Sequence, residues 1–256
     1  MSTGTYNSIL LELFTWTEVS EYLKTSKAII VPIGSVEQHG PTGAIGTDAF
    51  TAEAIAREVG IRTNTLVAPT QPFGMAEHHL GFPGTMSLQP RTLILVIHDL
   101  LISLISNGFE RIYLVNGHGG NIATTKAAFM EVYKSVSLRK ISWASKVRCK
   151  ISSWFNVPEV FTETKRLYGD KEGQHATPSE ISITLKLHPD LIEKQYKLPE
   201  ASPSGPIFGP EDFRIRYPDG RMGSDPYLAD PEHGQLLLDK AATALTKDFL
   251  KFLQSP

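Results

Sequence analysis

The chain has 256 residues, 41% hydrophobic and 20% charged, with 25 basic against 27 acidic side chains and a formal net charge of −2. That suffices for one large α/β domain with a sizeable core, and a near-neutral balance without any basic run excludes the electrostatic attraction on which nucleic-acid binding rests. A single cysteine (Cys149), no secretion-signal pattern in Met1–Leu13, and a longest apolar run, Leu93–Ile105, that is broken by His98 and Asp99 and falls short of the roughly 20 residues of a membrane span predict a cytoplasmic protein with no membrane partner.

Ala28–Ile33 (AIIVPI) is a short, mostly β-branched run ending at Gly34, the pattern of a strand buried on both faces. After a loop rich in Gly and Pro, TDAFTAEAIAREVG carries apolar residues at helical spacing, with Thr47 as the expected cap and Gly60 just past the expected end. Leu66–Ala68 reads as a second strand. The connection Thr70–Gln89 is long for a compact domain and is therefore a candidate functional loop. Pro90 suits the first turn of a helix ending near Gly108, Arg111–Val115 reads as a third strand, Ile122–Val136 as a third helix and Ile141–Val147 as a fourth strand. Strands alternating with helices predict a single α/β domain over residues 1–256, with a mainly parallel sheet flanked by helices on both faces. Ser153–Gly173 and the Pro-, Gly- and Asp-rich Ala201–Pro231 are expected to form loops or small insertions, the latter ordered by a neighbouring subunit. Glu180–Leu187 reads as helical after Pro178, and Pro231–Leu253 as a closing amphipathic helix.

Residues able to hold a metal fall where open parallel sheets place their sites, outside the carboxyl ends of strands. Glu37 and His39 stand two apart in an extended segment and so point the same way. Asp48 lies nine residues on, at the helix start, where it can reach the same point or act as a cap. Asn116-Gly117-His118-Gly119-Gly120-Asn121 follows the third strand, and glycines flanking a histidine permit a sharp turn and close approach. Two imidazoles and two carboxylates in Gly-rich loops fit a hard or borderline divalent ion such as Zn²⁺, Mn²⁺ or Fe²⁺. In His175-Ala176-Thr177-Pro178-Ser179-Glu180, two readings stay open: Glu180 is a ligand or complements a helix dipole, and His175 serves function or is a loop residue. His79 either reaches substrate or bonds to backbone. Asn116 and Asn121 read as residues that hold the loop, and Trp154 and Phe155 line a pocket or simply pack.

VPIGSVEQHGPTGAIGTDAF, HHLGFPGTMSL, VNGHGGN and HATPSE, in that order between about residues 28 and 187, resemble the signature segments of the creatininase (creatinine amidohydrolase) family. The resemblance implies a parallel-sheet α/β fold, a centre of one or two metal ions, hexameric assembly and hydrolysis of C–N bonds in cyclic amides, formamides or terminal peptide bonds. It implies Glu37, His39, Asp48 and His118 as ligands, Asp48 bridging two metals, Glu180 completing the second site and His175 transferring a proton. Three departures stand out. Gly119 and Gly120 occupy the positions where creatinine-cleaving members carry an aromatic residue and a metal-binding glutamate, which disfavours creatinine as substrate. Thr42 replaces a histidine common after the proline, and Thr177 replaces a small glycine.

The expected chemistry is attack of metal-activated water on a carbonyl, with His175 protonating the departing nitrogen and the backbone of Gly119 and Gly120 binding the oxyanion or an anionic substrate group. The alternative is a non-catalytic member in which the metal only holds the loops of an assembly or binding module. A serine hydrolase using Ser35 is excluded by the local sequence Ile33-Gly34-Ser35-Val36-Glu37, which is not a G-x-S-x-G elbow.

Overall fold

The computed structural model describes residues 8–255; Met1–Asn7, and with them part of the stretch read for a secretion signal, lie outside the described residues, as does Pro256. Three strands, β1 (Ala28–Ile33), β2 (Arg111–Asn116) and β3 (Arg148–Ser153), form a parallel sheet in the order β1-β2-β3. Their register sets Ile33, Asn116 and Ser153 side by side at the carboxyl edge.

Because successive side chains of a strand point to opposite faces, β1 and β2 each feed two cores. Ile29, Val31, Ile33, Ile112 and Leu114 pack on one face against α3 (Pro90–Ser106) and α4 (Asn121–Leu138). Ile30, Tyr113 and Val115 pack on the other against α2 (Thr47–Thr63) and α8 (Pro231–Leu253). The expected parallel sheet covered on both faces is thus observed. A further helix, α1 (Trp16–Thr25), opens with a capping box between Thr15 and Glu18 and buries Tyr22 in the first core.

Several boundaries differ from expectation. Leu66–Ala68 runs beside β1 but pairs only through isolated bridges of Val67, to Ile30 and to Leu10, too short to count as a strand. Ile141–Val147 is not a strand: Ala144–Lys146 is a 3-10 turn, and the strand follows as RCKISS. β3 is a half-buried outer strand, so it needs no continuous apolar run and hides from a search for one. Thr47 is not the cap of α2; Gly46 holds that position, Thr47 Oγ1 donates to the Ala44 carbonyl, and the helix continues through Gly60 to end at Asn64 in the left-handed region. The late segments expected as loops contain α5 (Pro158–Tyr168) and α7 (Pro210–Arg216), and Phe213, Tyr217 and Met222 form a small core with Phe82. Glu180–Leu187 is helical as expected, within α6 (Pro178–Leu187). Among the described residues, no helix is long and apolar enough to cross a membrane.

Candidate metal centre

The sheet's carboxyl edge delivers the ligand-type residues to one place. Glu37 and His39 lie in the loop after β1, Asp48 is the second residue of α2, His118 follows β2 by two residues and Glu180 is the third residue of α6. Two asparagines hold the loops. Asn116 Nδ2 donates to the His118 carbonyl at 2.7 Å while its Oδ1 accepts the His118 N–H at 3.2 Å. Asn121 Nδ2 donates to the Gly34 carbonyl at 2.9 Å and its Oδ1 accepts the Met75 N–H at 3.0 Å. Asn116 therefore closes the His118 loop on itself and Asn121 ties the head of α4 to two other loops, in keeping with their expected part in holding the loop.

Two donor groups share Asp48. In the first, His118 Nδ1 lies 3.1 Å from Glu37 Oε2 and 3.2 Å from Asp48 Oδ2. In the second, His39 Nε2 lies 3.1 Å from Asp48 Oδ1 and 3.8 Å from Glu180 Oε1. Each histidine has its other nitrogen on a backbone carbonyl, which can only accept: His118 Nε2 donates to Met75 O at 2.9 Å and His39 Nδ1 to Glu37 O at 3.0 Å. In the neutral imidazoles the nitrogens facing the carboxylates are thereby left as lone pairs, the arrangement by which outer partners orient metal-binding imidazoles. Glu37 Oε2 and Asp48 Oδ2 are buried without a hydrogen-bond donor. Lone pairs converging on lone pairs in a buried site demand positive charge between them, and a divalent cation or a proton on each imidazole meets the demand. The donor set, carboxylate and imidazole without thiolate, fits Zn²⁺ or Mn²⁺.

The electrostatics carry the same message. Burial alone would lower both imidazoles, but Asp48 and Glu180 raise His39 to about 10, and Glu37 and Asp48 hold His118 well above its ordinary value. Burial pushes the Glu37 carboxyl up, yet the imidazoles of His118 and His79 outweigh it and hold the group well below the usual range. Glu180 is raised to about 7, chiefly by burial, which the attraction of His39 does not offset.

Behind Glu37 stand two more histidines. His79 Nε2 lies 3.2 Å from Glu37 Oε1, and His175 Nδ1 lies 3.7 Å from the same oxygen. The rings of His79 and His175 stack at 4.2 Å between centroids. His175 Nε2 donates to the Gln38 carbonyl at 2.7 Å, so its bare Nδ1 faces the centre; burial and then the neighbouring His79 and His39 hold this imidazole well below its ordinary value. Glu37, His39 and His175 also fall within ligand reach of one another, so the geometry of His175 suits either a proton carrier or a ligand. His78 adjoins His79 and is lowered to about 4, mainly by burial.

A cavity of about 880 Å³ opens over the centre, its wall including His79, Gly119, Gly120, Trp154, Phe155 and His175. Gly119 has open space where a side chain would project, whereas a Cβ on Gly120 would meet Met75 O at 2.3 Å and His118 Nε2 at 2.5 Å. A side chain at 120 would therefore sit in the hydrogen bond that orients His118. Thr42 is buried, and its carbonyl accepts from Gln195 Nε2. Thr177 caps α6 in a capping box with Glu180. Sequence reasoning missed three contributors: the buried Gln38, and, from the late segment, the carbonyl of Gly220 bonded to Gln38 and the hydroxyl of Ser224 bonded to the His175 carbonyl. A glutamine between two ligand-type residues was a usable signal; a backbone carbonyl and a lone serine leave none.

The family model for creatininase, creatinine amidohydrolase, matches residues 12–249. The chain belongs to the creatininase family. It is 28% identical over 208 residues to the 3-dehydro-scyllo-inosose hydrolase of Thermotoga maritima, covering 79% of this chain and 62% of that protein. To the creatinine amidohydrolase of Pseudomonas putida it is 25% identical over 247 residues, 91% of this chain and 92% of the relative. A shorter match, 39% identical over 106 residues, links 39% of this chain to 42% of the mycofactocin precursor peptide peptidase of Mycolicibacterium smegmatis. The chain thus spans less than two thirds of two of these three hydrolases. In fold, it superposes on a crystal structure of creatininase with a TM-score of 0.82 at 24% identity, over 98% of this chain and 100% of that one.

Proposed function

We propose that this creatininase-family chain is a metal-dependent hydrolase of C–N bonds, with two divalent ions held by Glu37, Asp48 and His118 on one side and by His39, Asp48 and Glu180 on the other. The observation that carries the reading is the division of Asp48, Oδ2 to His118 and Oδ1 to His39, inside two buried donor groups. Solved creatininases of the same fold include a Zn–Zn form and a Mn form, which supports zinc or manganese here. Such ions, when bound, bring the pKa of water from 15.7 to about 7 and polarise the attacked carbonyl.

The chain's own part is positional and protonic. His175, neutral and bare at Nδ1, takes a proton from the attacking water and gives it to the departing nitrogen as the C–O bond forms and the C–N bond breaks. His79, both of whose nitrogens are engaged, orients Glu37 rather than touching substrate. Gly119 and Gly120 line the cavity at the head of α4, where their N–H groups suit the developing oxyanion or an anionic group of the substrate. The open cavity suits a cyclic amide, formamide or terminal peptide bond, and creatinine itself is disfavoured, since position 120 has no room for the glutamate of creatinine-cleaving relatives. We assign the protein to the cytoplasm as a homohexamer acting on a small molecule. A non-catalytic assembly module is the poorer reading, because a purely structural metal site needs neither the cavity nor a bare imidazole beside it.

Elemental analysis of protein purified without chelators should find between one and two divalent ions per chain, and a screen of cyclic amides, formamides and short peptides should find turnover that chelation abolishes. Protein that neither carries nor takes up a divalent ion would refute the metal centre. Light scattering showing a stable monomer near 28.2 kDa would remove the hexamer.

A further inference from the structure

Gln38 belongs to neither donor group, yet its side chain is buried behind Glu37 between two histidines. Its Oε1 accepts the Gly40 N–H at 2.8 Å, which fixes the end of the amide that is nitrogen. That nitrogen has three neighbours: Gly220 O at 3.0 Å, His79 Nδ1 at 2.9 Å and His175 Nε2 at 2.9 Å. An amide nitrogen has only two hydrogens. His175 Nε2 already donates to the backbone carbonyl of Gln38 at 2.7 Å, so it carries a hydrogen and cannot accept another. The amide hydrogens therefore go to Gly220 O and His79 Nδ1. With Nδ1 accepting, His79 carries its hydrogen on Nε2 and donates it to Glu37 Oε1 at 3.2 Å.

We propose that Gln38 is a positioning residue that works through His79: the amide sets the tautomer of His79, His79 orients the Glu37 carboxylate, and Glu37 holds the metal. The last link rests on the metal-centre reading above. Gly220 anchors this line from 182 residues away. Its φ of +87° is a backbone conformation that suits glycine, and a Cβ there would lie 1.9 Å from Gln38 Oε1, so the late segment and the amide are built against each other. The hydrogen count also separates the two histidines: His79 depends on the Gln38 side chain, whereas His175 depends only on its backbone.

The test is a pair of double-mutant cycles read in zinc affinity, by competition with a chelator, on protein whose fold is checked by circular dichroism. Gln38→Met keeps the volume and removes the amide; it should weaken zinc about 10–100-fold, the usual effect of losing an outer partner of a ligand. Added to His79→Ala it should cost nothing more, because both changes break one line, while added to His175→Ala its loss should appear in full. Gly220→Ala, which displaces the amide from outside, should repeat both results if Gln38→Met folds poorly. In ¹⁵N spectra of histidine-labelled wild-type protein, His79 should show Nε2–H and an unprotonated Nδ1. Wild-type affinity in Gln38→Met, full additivity with His79→Ala, or a hydrogen on His79 Nδ1 would each overturn the proposal. Unchanged zinc affinity in Glu37→Gln would instead overturn the metal centre beneath it.

Discussion

The two donor groups that meet at Asp48 are built from different materials. Glu37 and His118 come from loops at the ends of β1 and β2, 1% and 6% exposed, and each is held by a further contact, His79 for Glu37 and the Met75 carbonyl for His118. The two atoms that face each other, Glu37 Oε2 and His118 Nδ1, are not drawn on by those contacts, which use Glu37 Oε1 and His118 Nε2. Glu180 comes instead from the first turn of α6, and the oxygen 3.8 Å from His39 is the same Oε1 that accepts the Thr177 N–H at 2.6 Å. Beside the shared Asp48, one half of the centre is thus set by strand-end loops alone, and the other pairs the strand-end His39 with a carboxylate whose geometry comes from the start of a helix. A ligand held by a contact on its other atom should bind more tightly than one whose facing oxygen is already taken by a cap.

Breaking the sheet-borne half should have the largest effect. Glu37→Gln or His118→Ala should remove most of the bound metal and with it the activity, as read by elemental analysis; full occupancy in either variant would show the ligand assignment to be wrong. His175→Ala comes next. It should keep fold and metal while losing on the order of 10²–10⁴ in rate, the usual contribution of a group that transfers a proton. Loss of metal together with activity would make His175 a ligand, a role its bare Nδ1 near Glu37 and His39 also permits.

The same contrast explains what the sequence disclosed. The strand-end candidates lie in loops where nothing else accounts for Glu37, His39 and His118 among glycines, so chemistry was the economical reading. Asp48 and Glu180 begin helices, where a carboxylate is also what a dipole or a capping box wants, and sequence alone cannot separate the two. In the structure the same Glu180 carboxylate accepts the Thr177 N–H and lies 3.8 Å from His39, so capping the helix leaves the proposed ligand role open to it. The sheet and its two layers were legible because β1 and β2 are continuously apolar. β3 was misplaced because an outer strand is not, and the part played by Gly220 and Ser224 was invisible because it rests on main chain and a common hydroxyl.

Sharpening the comparison needs a change that touches only the helix-borne half. Glu180→Gln retains an oxygen able to accept the Thr177 N–H, and so keeps the box while removing the charge. One ion of two should be lost and the other, held by Glu37, Asp48 and His118, retained. Loss of both would mean that the two halves bind as a unit.

The smallest effect, and the finest probe, is Thr177→Ala. The capping box has two bonds: Thr177 Oγ1 accepts the Glu180 N–H at 3.3 Å, and the Thr177 N–H donates to Glu180 Oε1 at 2.6 Å. Alanine removes the first and keeps the second, because the second is a main-chain donor. Loss of a threonine cap costs about 1 kcal/mol. In a chain of this length that lowers Tm by about 2–4 °C, measurable by calorimetry on chelated protein. Glu180 should nevertheless stay aimed at His39, since the one box bond that reaches its carboxylate, from the Thr177 N–H, survives, and the second ion should remain. If Thr177→Ala releases that ion, then the hydroxyl, not the main chain, orients Glu180, and the helix-borne half depends on a side chain that the family pattern would replace with glycine.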